Sequence, residues 1–565
     1  MLTNQHLRYG GAVGVAFCLL ALPAAAQTSL GGQPEGLLRP LATQAPVIAA
    51  PTPDVAAYMA ADEERNHRPL RYGALIDVGV DIADGAWTTL RDGSRVWRLQ
   101  LVSPGAMSLA VEFEQFDLPV GAKMYVYDEE QELVLGAYTS ENRHEDGGFV
   151  FEPFPGDRLT LELEVPAGAS EPVLLTKAII HDYRDIFGMM NGTVTVGGGS
   201  GQQSLGACLI DVNCPEGANW NDQKRATMRT LSNGALCSGA LVNNTALDGT
   251  RYVMTADHCG QTANTVFTFL YQRPNCSSGA APTNMTVTGC TVLTTSPAYD
   301  SRLLRINSAI PVGYQPFFAG WTRSGTGASM AFAMGHPSGG PKMISIDNNG
   351  TITDPQYWRV TWNTGTLEGG SSGGPLFDQN GRFKGAACCV NDFVCNNQTA
   401  YFGRFDLFYN SNAVAQWLDP LGQNPTTLNG IDPQSCTPAF QTCFTSPNSV
   451  GPGAIIGYYG SRSVNTNDFN LLTSGLPPNG FGLYYYGQNE ILTPFGNGYR
   501  CVGSPVTRLG VMQANTFGDA VHDLNLTGTQ IDAGETWIFQ YWYRNPAGGG
   551  AGFNLSDAIG VPFCP

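Results

Sequence analysis

Two adjacent serines, Ser371 and Ser372, stand in the run EGGSSGGPLF, residues 368–377. A serine hydroxyl becomes a nucleophile only when a histidine takes its proton and a buried carboxylate holds that histidine in place. Glycines ahead of such a serine let backbone N–H groups face the oxyanion that forms on attack. The run fits two hydrolase templates, and it also reads as a glycine-rich turn with no chemistry. The partners elsewhere in the chain discriminate.

Read as G-x-S-x-G over Gly370–Gly374, the run is the nucleophile elbow of an α/β-hydrolase, which carries its acid and histidine after the serine. The only histidine after Ser372 is His522, and alternating βα units are missing, so that template fails. The chymotrypsin order places histidine and aspartate before the serine. His258 closes the apolar run YVMTADHCG, beside Cys259. His336, in AMGHPSGG, reads as part of a turn before Pro337. Between His258 and Ser372 the acids are Asp300, Asp347, Asp354 and Glu368. Asp300 opens an apolar strand-like run, where a buried carboxylate can accept the imidazole N–H. Asp347 falls in the turn-rich DNNGTITD and reads as solvated. Glu368 is too close to the serine to reach behind the histidine. The expected triad is His258, Asp300 and Ser372, with Gly370 and Ser372 N–H as the oxyanion hole.

Several elements must hold these residues. The 565-residue chain carries 69 glycines and only 14% charged residues, which suits all-β domains with many turns. A net charge of −17 argues against a nucleic-acid partner. Residues 1–26 read as a cleaved export signal: Arg8, the apolar GAVGVAFCLLALP, then Ala24–Ala26. No later run is long and apolar enough for a membrane span. A secreted protein, extracellular or periplasmic, is expected. Fourteen cysteines then read as disulfides, one of them lying in the signal. There is no C-x-x-C pair, and neither metal nor cofactor is expected.

Residues 27–84, rich in Pro and Ala, read as a leader or linker. Residues 85–186 alternate apolar and polar side chains in VWRLQLV, MSLAVEFEQF, KMYVYDEE and RLTLELEVP, the pattern of a β-sandwich. Residues 187–205 read as a glycine-rich linker, and 206–435 form the cysteine-dense region that carries the triad. A linker at 436–453 leads to an all-β module at 454–565.

Residues 206–420 resemble the bacterial lysyl endopeptidases, a secreted branch of the chymotrypsin-like serine proteases. The resemblance is carried by GACLIDVNCPEG, CSGALVNNTALDGTRYVMTADHCG, AYDSRLLRI, GHP, EGGSSGGPLFDQNGR and YFGRF. It implies a double β-barrel, polypeptide substrates, a trypsin-like serine protease domain, and disulfides Cys208–Cys395, Cys214–Cys276 and Cys237–Cys259. Cys290, Cys388 and Cys389 have no counterpart, and Cys290 is expected to bond one of the vicinal pair. Residues 87–184 resemble the family's propeptide, which implies a zymogen whose own propeptide acts as chaperone and inhibitor. By family position the mature N-terminus falls near Gln203. Residues 454–565 resemble a C-terminal β-module of secreted proteins, with Cys501–Cys564 as its candidate bridge. A monomer is expected.

The chain departs from the family where substrate side chains are read. The lysine-reading aspartate falls at Ala400, and the trypsin-type specificity position falls at Thr366. A lysine ammonium buried without a counter-charge is costly. A small or apolar residue is therefore expected before the scissile bond. No Lys or Arg lies between Arg184 and Cys208, which fits that preference. Ser371 stands where animal trypsins carry the aspartate that pairs with a new N-terminal amine. The competing class is a non-catalytic extracellular binding or adhesion protein on a protease scaffold.

Overall fold

The computed structural model describes residue 29 and residues 31–564, except 64–68, 129–132, 192–207, 392–393, 396, 433–438, 461, 463, 465–466 and 533. The export signal and the segment around Gln203 lie outside the described residues.

The alternating runs form two sheets packed face to face. One orders Val47–Ala49, Arg95–Val102, Arg158–Val165, Lys123–Tyr127 and Val134–Tyr138. The other orders Phe154–Pro155, Ser108–Asp117, Val173–Asp182 and Gly73–Asp77. Trp97, Leu99, Leu101, Leu161, Leu163, Val111, Phe113 and Phe116 fill the space between them. The sandwich begins earlier than composition suggested. Val47–Ala49 pairs parallel to Arg95–Val102, and Gly73–Asp77 pairs antiparallel to Val173–Asp182. The Glu35 and Gly36 N–H groups donate to Glu164 and Glu162 at 2.8 Å, so much of the supposed leader is stapled to the sandwich. Such staples run from main chain to distant carboxylates and leave no periodic trace in the sequence.

The cysteine-dense region folds as two β-barrels. The first orders Thr286–Thr288, Thr265–Thr268, Thr227–Ser232, Ala235–Val242, Tyr252–Thr255, Ser301–Ile306 and Cys290–Ser296, all antiparallel. Met228, Leu241, Val253, Phe267 and Leu304 form its interior. The second orders Ile210–Asp211, Met343–Asp347, Ala331–Gly335, Pro375–Asp378, Phe383–Val390, Thr399–Arg404, Tyr357–Thr361 and Ile352–Thr353. Trp358, Val360, Trp362, Leu376, Ala400 and Phe402 pack inside it. Cys214–Cys276 and Cys237–Cys259 are bonded, and Cys208–Cys395 ties the start of the region to the second barrel.

Two expected cysteine pairings are not present. Cys290 is a buried free thiol at the start of a first-barrel strand, its Sγ 3.2 Å from the Thr262 carbonyl. Cys388 and Cys389 are free and stand on Phe383–Val390 of the second barrel. Cys501 is bonded to Cys443, not to Cys564. The cause is topological. Phe440–Gln441 pairs with Phe553–Pro562 and so belongs to the C-terminal module, which brings Cys443 beside Cys501. Cys564 is bonded elsewhere and lies past the end of that long strand, beside Arg462 and Val464. The segment read as a linker up to 453 is therefore partly sheet. The module's main sheet orders Phe440–Gln441, Phe553–Pro562, Thr536–Arg544, Phe481–Gly487 and Thr507–Arg508.

Candidate active site

His258 sits in a short 3-10 turn, Asp257–Cys259, directly after the strand Tyr252–Thr255. Asp300 ends another such turn, Pro297–Tyr299, and precedes the strand Ser301–Ile306. The two strands pair, with Thr255 opposite Arg302, so adjacent strand ends bring the two residues together. Asp300 Oδ2 lies 2.7 Å from His258 Nδ1, and Asp300 Oδ1 accepts the His258 backbone N–H at 2.9 Å. Burial alone would raise the Asp300 pKa. The hydrogen bonds and charge of His258 outweigh that and hold it below the usual carboxylate value. Asp300 adopts a left-handed backbone, φ 43°, which Asp tolerates better than most residues.

The turn carrying His258 is braced from the same strand. Arg302 pairs with Asp257 at 3.0 Å and donates to the Gln261 carbonyl at 2.7 Å. The Thr295 hydroxyl also donates to Asp257. The ring thus has Asp300 on one side and an anchored turn beneath it. His258 Nε2 is buried and has no partner among the described residues. No hydrogen bond joins it to Ser372 among them; such bonds often tighten only with substrate bound.

Ser372 is half-buried in the loop ahead of Pro375–Asp378. Ser371 is buried and its hydroxyl has no partner among the described residues. The amides of Ser371, Gly373 and Gly374 are committed to the carbonyls of Glu368, Ala387 and Ser371. Those of Gly370 and Ser372 find no acceptor among the described residues. Two glycines are required by shape. At Gly370, φ 96°, a Cβ would lie 2.6 Å from the His336 carbonyl oxygen. At Gly373, φ 76°, it would lie 2.2 Å from Thr255 Oγ1 and 2.4 Å from the Ser238 carbonyl oxygen.

Ser238, which the sequence did not single out, clamps this loop to the first barrel. Its N–H donates to the Ser372 carbonyl at 2.7 Å, its hydroxyl to the Gly370 carbonyl at 2.9 Å, and its Oγ accepts the His336 N–H at 3.0 Å. Its carbonyl accepts the Thr255 hydroxyl at 2.9 Å. Ser238 lies within the family-like stretch that opens at Cys237, but nothing in that stretch marks it as a clamp, and only the folded chain exposes the role. His336 is fully buried, its Nδ1 3.0 Å from the Gly340 carbonyl, and burial keeps it neutral. Asp347, expected to be solvated, is buried at the end of Met343–Asp347. There it accepts the Asn349 N–H, an inward turn that residue types alone do not reveal.

Thr366 and Ala400 are both buried. Thr366 donates to the Val394 carbonyl at 3.1 Å. Ala400 packs with Leu367, Trp358 and Trp362 in the barrel interior. The Glu368 carboxylate accepts the Ser338 hydroxyl at 2.7 Å. Cys237 and Cys259 lie near His258, but their sulfurs are bonded to each other and are not thiolate ligands for a metal.

Two β-barrels joined by a clamped, glycine-shaped serine loop beside a His–Asp pair define a serine endopeptidase of chymotrypsin-like architecture. Family models carry the assignment further: that for the lysyl endopeptidase N-terminal domain matches residues 55–174, and that for the lysyl endopeptidase C-terminal domain matches 202–403. The lysyl endopeptidase of Pseudomonas aeruginosa is 25% identical over 340 residues, 54% of this chain and 71% of that one. The chain is a lysyl endopeptidase-like serine protease. Among solved structures, the Ser343Ala inactive form of Rv3671c from M. tuberculosis covers 38% of this chain and 94% of its own, at 19% identity and a TM-score of 0.25. The thermostable serine protease AL20 from an extremophilic microorganism covers 33% and 93%, at 18% identity and a TM-score of 0.25.

Proposed function

We propose that this protein is a secreted endopeptidase that cuts polypeptides through an acyl-enzyme on Ser372. His258 Nε2 takes the Ser372 proton as Oγ attacks the carbonyl carbon, and then gives it to the leaving amine. Water repeats the sequence in reverse and frees the acid. Asp300 holds the ring with Nδ1 protonated and stabilises the imidazolium. The Gly370 and Ser372 N–H groups receive the oxyanion. The observation that carries this reading is the two-point hold of Asp300 on His258, at 2.7 and 2.9 Å. A surface histidine has no need of a buried carboxylate that binds both its ring and its backbone.

Secretion is supported by the signal-like N-terminus. No helix among the described residues is long and apolar enough to cross a membrane. The N-terminal sandwich acts as chaperone and inhibitor of the protease domain, and the chain works as a monomer. The residue preceding the scissile bond is small or apolar. The supporting observation is that Thr366 and Ala400 offer no carboxylate, while Glu368 is held by Ser338. Profiling cleavage sites in a denatured proteome tests this. Small or apolar residues before the cut are expected, and strong enrichment of lysine there overturns the specificity assignment.

A further inference from the structure

The N-terminal sandwich sends one segment into the protease region. Leu70–Arg71 adds to the edge of Ala235–Val242 as an antiparallel strand, with Leu70 opposite Leu236 and Arg71 opposite Ala235. The Tyr72 and Gly73 N–H groups donate to the Gly234 carbonyl at 2.8 and 3.0 Å. Tyr72 is buried in a cluster shared by both domains, with Ile180 and Ile186 on one side and Leu231, Leu236, Val266 and Tyr271 on the other. Arg71 is pinned by Asp62 at 2.6 Å and stacks on Tyr58.

The register points this strand at the chemistry. The residue after Leu236 is Cys237, which is bonded to Cys259, the neighbour of His258. On the other flank Leu70 lies against the serine loop: a Cβ on Gly369 would be 3.5 Å from the Leu70 Cβ. The helix Ile186–Asn191, at the far end of the sandwich, packs on Pro337–Gly339. There the Ser338 N–H donates to the Gly369 carbonyl at 2.6 Å. Both ends of the N-terminal domain therefore bear on the loop that carries Ser372.

Direction matters as much as position. The chain runs from Pro69, nearest the His258 turn, outward through Leu70 and Arg71. That is the polarity of residues that follow a scissile bond, whose amine leaves while the preceding carbonyl stays on the serine. Pro69 immediately precedes the strand, and its ring replaces the backbone N–H.

We propose that Leu70–Tyr72 is a resident blocking strand: it occupies the leaving-group side of the cleft by main-chain pairing to Ala235 and Leu236, and so keeps extended substrates off that edge in the precursor. Edge pairing of this kind recognises backbone rather than sequence. The same edge then receives extended peptide substrates once the N-terminal domain departs. This rests on Ser372 as nucleophile.

The test uses the full-length precursor. The Leu70→Asp precursor is expected to hydrolyse a quenched peptide with three residues after its scissile bond at least tenfold faster than the wild-type precursor. An unchanged rate in Leu70→Asp overturns the proposal when fluorophosphonate still labels Ser372 of the processed enzyme. Absence of that label overturns the nucleophile assignment, and this proposal with it.

Discussion

Ser238 binds both ends of the Gly370–Ser372 segment: its hydroxyl donates to the Gly370 carbonyl at 2.9 Å and its N–H to the Ser372 carbonyl at 2.7 Å. This ties the segment to the first barrel, and its Gly370 and Ser372 amides find no acceptor among the described residues. Ser238→Ala keeps the strand and its N–H but leaves the Gly370 carbonyl and the His336 N–H without a partner. The expected result is a fall in kcat with little change in KM, together with a stability loss of about 1–3 kcal/mol by denaturant unfolding. A change confined to KM contradicts this role.

Asp300→Asn tests the His258 hold. The amide still fits the space but no longer fixes the protonated Nδ1 or stabilises the imidazolium. The drop in kcat/KM is expected to be about 10⁴-fold, with the fold intact by circular dichroism. The depressed Asp300 pKa also sets a sign: its contribution is present above the ordinary carboxylate pKa and is lost as pH falls through the lower folded value. Activity and stability of the processed enzyme should therefore hold at mildly acidic pH, to the extent that Asp300 controls them.

Docking of the N-terminal domain should weaken in acid. His144 is buried against the first barrel, its Nδ1 3.0 Å from Asn264 Oδ1 and its Nε2 3.2 Å from Thr288 Oγ1. One nitrogen donates and the other accepts, which suits a neutral ring. Burial pushes its pKa down to about 4, with the Asn264 hydrogen bond and then the Asp146 charge opposing only in part. Nearby, Arg305 pairs with Glu145 at 2.7 Å. For a base with a lowered pKa, the docked and free states are equally neutral above about 6.5. Below that the free domain takes a proton that the docked one refuses. At pH 5 the loss is on the order of 2 kcal/mol. Undocking of the N-terminal domain, read by small-angle scattering of the Ser372→Ala precursor, should increase between pH 6.5 and 5, and His144→Gln should flatten the increase. An unchanged profile in His144→Gln contradicts the assignment.

Activation should not need a particular new N-terminus. Ser371 is neutral, and its backbone N–H is already held by the Glu368 carbonyl. Mature enzyme carrying two or three extra residues ahead of its natural start should keep kcat/KM within about twofold. Inactivity of that form would show that an N-terminal amine shapes the site after all.

The candidates His258, Asp300 and Ser372 could be picked out of the sequence because catalysis restricts residue types and order, and the structure brings Asp300 against His258. The sandwich strands were readable because half-buried sheets alternate. What escaped the sequence depended on contacts across long separations. Glu162 and Glu164 look like solvent-facing strand positions, yet they accept the Gly36 and Glu35 amides and draw the leader onto the sheet. Cys443 lies in a stretch that reads as linker, so its bond to Cys501 had no signal. Cys290 and the vicinal pair were grouped because they were left over, although they stand on strands of different barrels. Ser238 lies in a family-like stretch and Leu70 in none, yet neither carries a mark of its role; the roles arise from which strand lies beside which.

The central claim is that Ser372, and not its neighbour Ser371, is the nucleophile. Processed protein treated with a fluorophosphonate and mapped by peptide mass spectrometry tests it most directly. One label on Ser372 is predicted, lost in Ser372→Ala, kept in Ser371→Ala, and greatly slowed in Asp300→Asn. A label on Ser371, or none on correctly processed wild-type protein, would contradict the account and favour a binding protein on a protease scaffold.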